Sequence, residues 1–151
     1  MIRAEGIEGR MKPVEKVKPL PKHLLFVDDE PAIRAMLPII LRRYGFTVTV
    51  AATVAQALDF IKNKKFNLLL CDLNIEQEAD GLQVIRAMRQ LNPACATFVL
   101  TGFPSTDTEL EARRLGIDDY IAKPANADAL VAILAEKLDT RQSKAPLPNA
   151  S

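Results

Sequence analysis

The chain has 151 residues, 48% of them hydrophobic and 26% charged, with a formal net charge of +1. That length suits one domain with a proper core, and the near-neutral charge gives no footprint for nucleic acid or a membrane surface. Two cysteines, Cys71 and Cys95, are too few for a disulfide framework or a zinc cluster, and no apolar stretch reaches membrane-spanning length. Both sit inside apolar runs, so two buried, reduced thiols of a cytoplasmic protein are expected.

From the N-terminus, "IEGR" at Ile7–Arg10 looks like a protease cleavage sequence of expression vectors, so residues 1–10 are set aside as a tag remnant. Lys12–Lys22 holds four Lys and three Pro among eleven residues, and residues 11–22 read as an extended, solvated arm. The folded domain is then expected over residues 23–139, with a polar, Pro-containing tail over 140–151 and no second domain after it.

Within the domain, apolar runs alternate with helix-like segments. His23–Val27 reads as a strand, and Pro31–Tyr44 as a helix opened by Pro31 and stopped by Gly45. Pro38 inside that helix removes one backbone bond, so a bend is expected rather than a break. Phe46–Ala51 is β-branched and strand-like, and Val54–Lys64 is helical. Lys62–Lys65 looks like the solvated end of that helix. "LLLCD" at Leu68–Asp72 is an unbroken apolar run, as in strands covered on both faces. A polar loop, Asn74–Asp80, leads to Gly81 and a helix over Leu82–Asn92. Thr97–Thr101 is the fourth strand, Thr106–Leu115 the fourth helix, Asp119–Ala122 the fifth strand and Ala127–Leu138 the fifth helix. Five strand–helix units in strict alternation imply an α/β fold: a parallel sheet with helices on both faces.

In such a sheet the strand C-termini share one edge, and ligands bind there. Asp28 and Asp29 end the first strand, Asp72 the third, Thr101 the fourth and Lys123 the fifth. Taken singly each has an ordinary reading: a cap, a turn residue, a strand end, a snorkelling lysine. Taken together they are harder to dismiss. Crowded carboxylates favour a hard divalent cation such as Mg²⁺, and a nearby hydroxyl and ammonium would complete a cage for a phosphoryl group carried on one carboxylate. The single histidine, His23, lies at the opposite end of the first strand.

With those motifs in view, "VDDE" at Val27–Glu30, Asp72 in "LLLCDLN", "VLTG" at Val99–Gly102 and "YIAKP" at Tyr120–Pro124 resemble the receiver domains of two-component response regulators. The resemblance implies a flavodoxin-like (βα)5 fold with strand order 2-1-3-4-5. It implies phosphorylation of Asp72 by a histidine kinase or phosphotransfer protein. It gives Asp29, Asp72 and the backbone carbonyl of Asn74 as Mg²⁺ ligands, with Asp28 holding the ion partly through water. Thr101 looks like the switch hydroxyl, Lys123 the cation that pairs with phosphate, Tyr120 the switch aromatic, and Lys123–Pro124 a cis peptide bond. A monomer or weak dimer without nucleic-acid or membrane partners is expected, switching a surface for an unidentified downstream protein rather than turning over a separate substrate.

The loop "DLNIEQEADG" departs from the family pattern: position 76 is Glu instead of Pro, and Gly81 comes one residue late. Three extra acids, Glu76, Glu78 and Asp80, are expected to change the rim of the site as a tolerated surface insertion. Two alternatives stand beside the main reading. One is an Mg²⁺-dependent phosphohydrolase with an aspartyl-phosphate intermediate, which wants an acid where Asn74 stands. The other is a degenerate receiver acting only as an interaction module, against which the complete acid, hydroxyl and lysine set argues.

Overall fold

The computed structural model describes residues 22–123 and 126–143, with side chains to residue 139. The expected tag remnant, the arm before Lys22, the Lys123–Pro124 peptide bond and residues 144–151 lie outside those described. Five units follow one another: β1 (Lys22–Val27), α1 (Pro31–Arg43), β2 (Phe46–Ala51), α2 (Val54–Asn63), β3 (Leu68–Cys71), α3 (Gly81–Leu91), β4 (Ala96–Thr101), α4 (Thr106–Arg114), β5 (Asp119–Ala122) and α5 (Ala127–Ser143). All strands pair in parallel, in the order β2-β1-β3-β4-β5. The alternation read from the sequence is the alternation observed.

Local chemistry explains the element ends. Pro31 occupies the first turn of α1, where its missing N–H costs nothing. Gly45, at φ 98°, supplies the left-handed turn into β2. Thr53 caps α2 by accepting Gln56 N–H, and Ser105 caps α4 by accepting Thr108 N–H. Pro38 lies buried inside α1, which runs unbroken around it. Most element ends fall within one residue of expectation, and two boundaries change a reading. Lys22, read as the last residue of the arm, opens β1 opposite Phe46. The last helix continues to Ser143 rather than ending at Leu138. No Gly or Pro stands before Pro146 to stop it, and Arg141 and Gln142 are good helix formers.

The sheet carries a core on each face. On one side Leu24, Phe26, Leu68, Leu70, Phe98 and Leu100 meet Leu37 and Leu41 of α1 and Leu130 and Leu134 of α5. On the other, Leu25, Val27, Leu69, Cys71 and Val99 meet α2, α3 and α4. Every residue of β3 and β4 is buried: β3 as its unbroken apolar run requires, and β4 with Thr97 and Thr101 enclosed among its apolar residues. Cys71 and Cys95 are buried thiols outside any disulfide, as expected. Helix α4 is thinly anchored: Ala112 is its one buried residue.

Candidate functional site

The sheet register builds the site. Val27 of β1 pairs with Cys71 of β3, so the next residue of each strand, Asp28 and Asp72, emerge side by side. Both continue the ladder by one bond: Asp28 N–H donates to Ala51 O at 3.1 Å, and Asp72 N–H to Val27 O at 2.9 Å. At the other end of the sheet Lys123 N–H donates to Thr101 O at 2.7 Å. Four strand ends thus meet at one edge, as the parallel topology demands.

Asp28 is fully buried, Asp72 is 6% exposed, and Asp29 is exposed. Each offers one carboxylate oxygen within 4.8 Å of the other two. An all-oxygen donor set at that spacing fits a hard divalent cation and is unfavourable without one, because like charges repel. Lys123 holds part of this charge. Its ammonium lies 2.7 Å from Asp28 Oδ2, 3.2 Å from Asp72 Oδ2 and 3.9 Å from Glu30 Oε1, with its side chain largely buried. The remaining oxygens are held by the main chain: Glu30 N–H donates to Asp28 Oδ1 at 2.9 Å, and Asn74 N–H to Asp72 Oδ1 at 3.2 Å. Lys123 therefore does not snorkel over apolar surface; it bridges two buried acids.

The titration of these groups follows from that geometry. Burial pushes the Asp72 carboxyl above its ordinary value; the Lys123 charge pulls it down in part, and Asp28 pushes it up again. Burial acts to lower the Lys123 ammonium, but the hydrogen bond and charge of Asp28, then those of Asp72, outweigh it and raise the group overall. The Cys71 thiol is pushed well up by burial first, then by Asp72, Asp28 and Asp80, which keeps it unreactive.

Thr101 is fully buried, and its Oγ1 accepts Phe103 N–H at 3.2 Å. Tyr120 is half-buried, its hydroxyl 2.8 Å from Thr108 Oγ1 and accepting Ser105 N–H at 3.2 Å. Tyr120 is thus tied to the N-terminus of α4, a partnership that spacing alone did not reveal. Beside the acids lies an open groove of about 510 Å³ lined by Asp29, Asn74, Ile75, Glu76, Gln77, Glu78 and Phe103. Phe103 is 78% exposed at its mouth.

The lengthened loop corrects one expectation. Asp80, read as a rim acid, is 8% exposed and accepts N–H groups from Ile75, Glu76 and Gln77. Glu76 reaches across to accept Val54 N–H at the start of α2, 3.1 Å away. Of the three loop acids, only Glu78 is exposed to solvent with no such tie among the described residues. The signal was present as Asp directly before Gly81 and a helix, but an acid there ordinarily caps its own helix.

The family model of the response regulator receiver domain matches residues 24–135. The transcriptional regulatory protein ZraR of Salmonella typhimurium is 36% identical over 129 residues, which is 85% of this chain and 29% of that protein. The transcriptional regulatory protein GlrR of Escherichia coli K12 is 29% identical over 79% of this chain and 27% of its own length. The chain therefore spans little more than a quarter of these curated relatives. Among solved structures, a CheY-like receiver domain protein from Methanospirillum hungatei superposes with TM-score 0.77 at 32% identity, over 83% of this chain and 99% of that one. A response regulator from Burkholderia pseudomallei, solved with a phosphorylated aspartic acid, calcium ion and citrate, gives TM-score 0.71 at 31% identity, over 82% and 73%. On its fold, its strand-end acids and the matched length, the chain belongs to the response regulator receiver domain family of two-component signalling.

Proposed function

We propose that Asp72 accepts a phosphoryl group from a phosphohistidine of a histidine kinase or phosphotransfer protein, with Mg²⁺, and that this switches a protein-binding face. The observation that carries the reading is the convergence of Asp28, Asp29 and Asp72 within 4.8 Å, with Lys123 bonded to two of them. An Asp72 carboxylate oxygen attacks phosphorus, the phosphorus–nitrogen bond breaks, and the donor imidazole keeps the electron pair. Mg²⁺, when bound, offsets the mutual repulsion of the acids and stabilises charge on the phosphoryl oxygens. Asp29, Asp72 and the Asn74 carbonyl would hold it directly, and Asp28 partly through water.

The chain's own groups do the rest. Lys123 shifts its ammonium from the carboxylates to the phosphoryl oxygens, and Thr101 turns its hydroxyl toward them. Tyr120 follows, loosening its tie to Ser105 and Thr108. Because α4 contributes one buried residue to the core, moving it costs little. The chain is catalyst and acceptor at once, with no separate substrate. The phosphohydrolase alternative lacks support at position 74, where the side chain is an amide whose Oδ1 is taken by Ala79 N–H at 2.7 Å.

A cytoplasmic location agrees with the thiols, and among the described residues no helix is long and apolar enough to cross a membrane. The expectation against nucleic acid rests on the near-neutral charge of this chain; a DNA-linked output of a longer form belongs to the same proposal, given the relatives' names. Intact mass after acetyl phosphate and Mg²⁺ tests the assignment: one gain of about 80 Da in the wild type and none in Asp72→Ala. A gain retained by the variant moves the site elsewhere; no gain in the wild type ends the reading.

A further inference from the structure

Asp80 occupies the capping position before α3 yet makes no side-chain bond to that helix. A buried carboxylate is costly unless it is satisfied. Its Oδ1 accepts Ile75 N–H at 2.7 Å, and its Oδ2 accepts Glu76 N–H at 2.9 Å and Gln77 N–H at 3.0 Å. The shortest of these bonds has a consequence for the cation. The N–H of Ile75 and the carbonyl of Asn74 belong to one planar peptide unit, and in a trans peptide they point in opposite directions. Whatever fixes the one fixes the other.

We propose that Asp80 is a positioning residue for the cation site: by gripping Ile75 N–H it sets the peptide plane that carries the Asn74 carbonyl. The inference rests on the reading of that carbonyl as an Mg²⁺ ligand. Three other bonds make the grip rigid. Asn74 N–H donates to Asp72 Oδ1, Asn74 Oδ1 accepts Ala79 N–H, and Leu73 O accepts Gly81 N–H at 2.7 Å. Asn74 is thereby held from both sides and through its side chain, and its peptide has one orientation left. Asp80 accepts three N–H bonds on one carboxylate, and carboxylate-accepted bonds are stronger than neutral ones. The added residue of this loop makes the device necessary: a longer connection without a proline has more conformations to exclude.

The test is calorimetric titration of Mg²⁺ into metal-free protein, alongside thermal melting. Asp80→Ala is expected to weaken Mg²⁺ binding about tenfold, the usual scale for losing a group that orients a ligand. Leu134→Ala serves as the comparison, since it empties a fully buried site in the core on the other face of the sheet. It lowers the melting temperature while leaving Mg²⁺ affinity within about twofold, which separates orientation from stability. Equal affinity in Asp80→Ala and wild type overturns the proposal, as does an equal loss in Leu134→Ala. If Asp80→Ala does not fold, Asp80→Asn decides instead: it keeps the shape but loses one acceptor and the charge, and a loss of about threefold supports the role while unchanged affinity refutes it. A wild type that binds no Mg²⁺ removes the functional reading itself, an outcome distinct from a wild type that binds and a variant that binds equally.

Discussion

Lys123 and Asp28, 95 residues apart in the chain, meet at 2.7 Å because β5 and β1 end at the same edge of one parallel sheet. Asp28 has no exposed surface, so this ammonium is what makes its ionised form tolerable inside the fold. In the proposed function the same ammonium turns to a phosphoryl oxygen once Asp72 is modified. One cation thus stabilises the resting site and is available to the phosphorylated one.

Removing it leaves two buried acids facing each other. Lys123→Met should destabilise the metal-free protein by on the order of 3 kcal/mol, the cost of stranding a buried charge. The Lys123 value is raised on folding, so its contribution is fully present below the ordinary lysine range and is lost as pH rises through the raised one. Melts in chelator from pH 8 upward check both points. The wild type loses stability at the alkaline end of that range, and the variant lacks this component.

Asp72 has the same sign against pH, but here it is the ionised form that the fold disfavours. Its carboxyl is raised on folding, so the folded state holds that proton more tightly and stability falls as pH climbs past the ordinary aspartate range. Near neutral pH the ionised Asp72 therefore weakens the metal-free fold. Asp72→Asn should melt higher than wild type in chelator at pH 7, with the gap closing in acid. A lower melting temperature at pH 7 contradicts this account.

Asp29 is the exposed member of the acid trio, and its loss should be felt by the cation more than by the fold. Asp29→Asn relieves repulsion without stranding a partner, so the metal-free melting temperature stays level or rises slightly. The Mg²⁺-dependent increase in melting temperature shrinks, because that increase measures affinity. If the increase matches the wild type's, Asp29 is no ligand.

Gly81 is required for closeness rather than for an unusual backbone angle. A β-carbon there would overlap the Asp72 carbonyl oxygen and sit 2.8 Å from Leu73 Cα. Gly81→Ala must push α3 away from β3 or break the Leu73–Gly81 bond, disturbing Asp72 directly. We expect a loss of about 2 kcal/mol or more in urea melts, typical of overpacking against backbone, together with slower phosphorylation of Asp72.

Tyr120 and Thr108 form the contact through which the switch should travel. With a beryllofluoride mimic of phosphate, NMR shifts should spread from Asp72 through Thr101 to Tyr120 and α4. Thr101→Ala should confine them near Asp72. Thr108→Val removes one of the two ties on the Tyr120 hydroxyl and should move Tyr120 and Ser105 resonances before any mimic is added. Shifts that reach Tyr120 undiminished in Thr101→Ala would sink the coupling.

The sequence by itself determined the five alternating units, the parallel sheet and the acids, hydroxyl and lysine at its edge. Hydrophobic period and strand-end position are local properties of the chain, and β3 carries its own in an unbroken apolar run. Tertiary structure alone decided which polar groups turn inward. Glu76, Glu78 and Asp80 are alike as letters, yet Asp80 is buried because three N–H groups of a curled loop converge on it, while Glu76 goes to α2 and Glu78 to water. The tie of Tyr120 to Ser105 and Thr108 was hidden for the same reason. Where a hydrogen-bond donor ends up depends on the path of the backbone through space, and no short-range pattern of residues encodes that path.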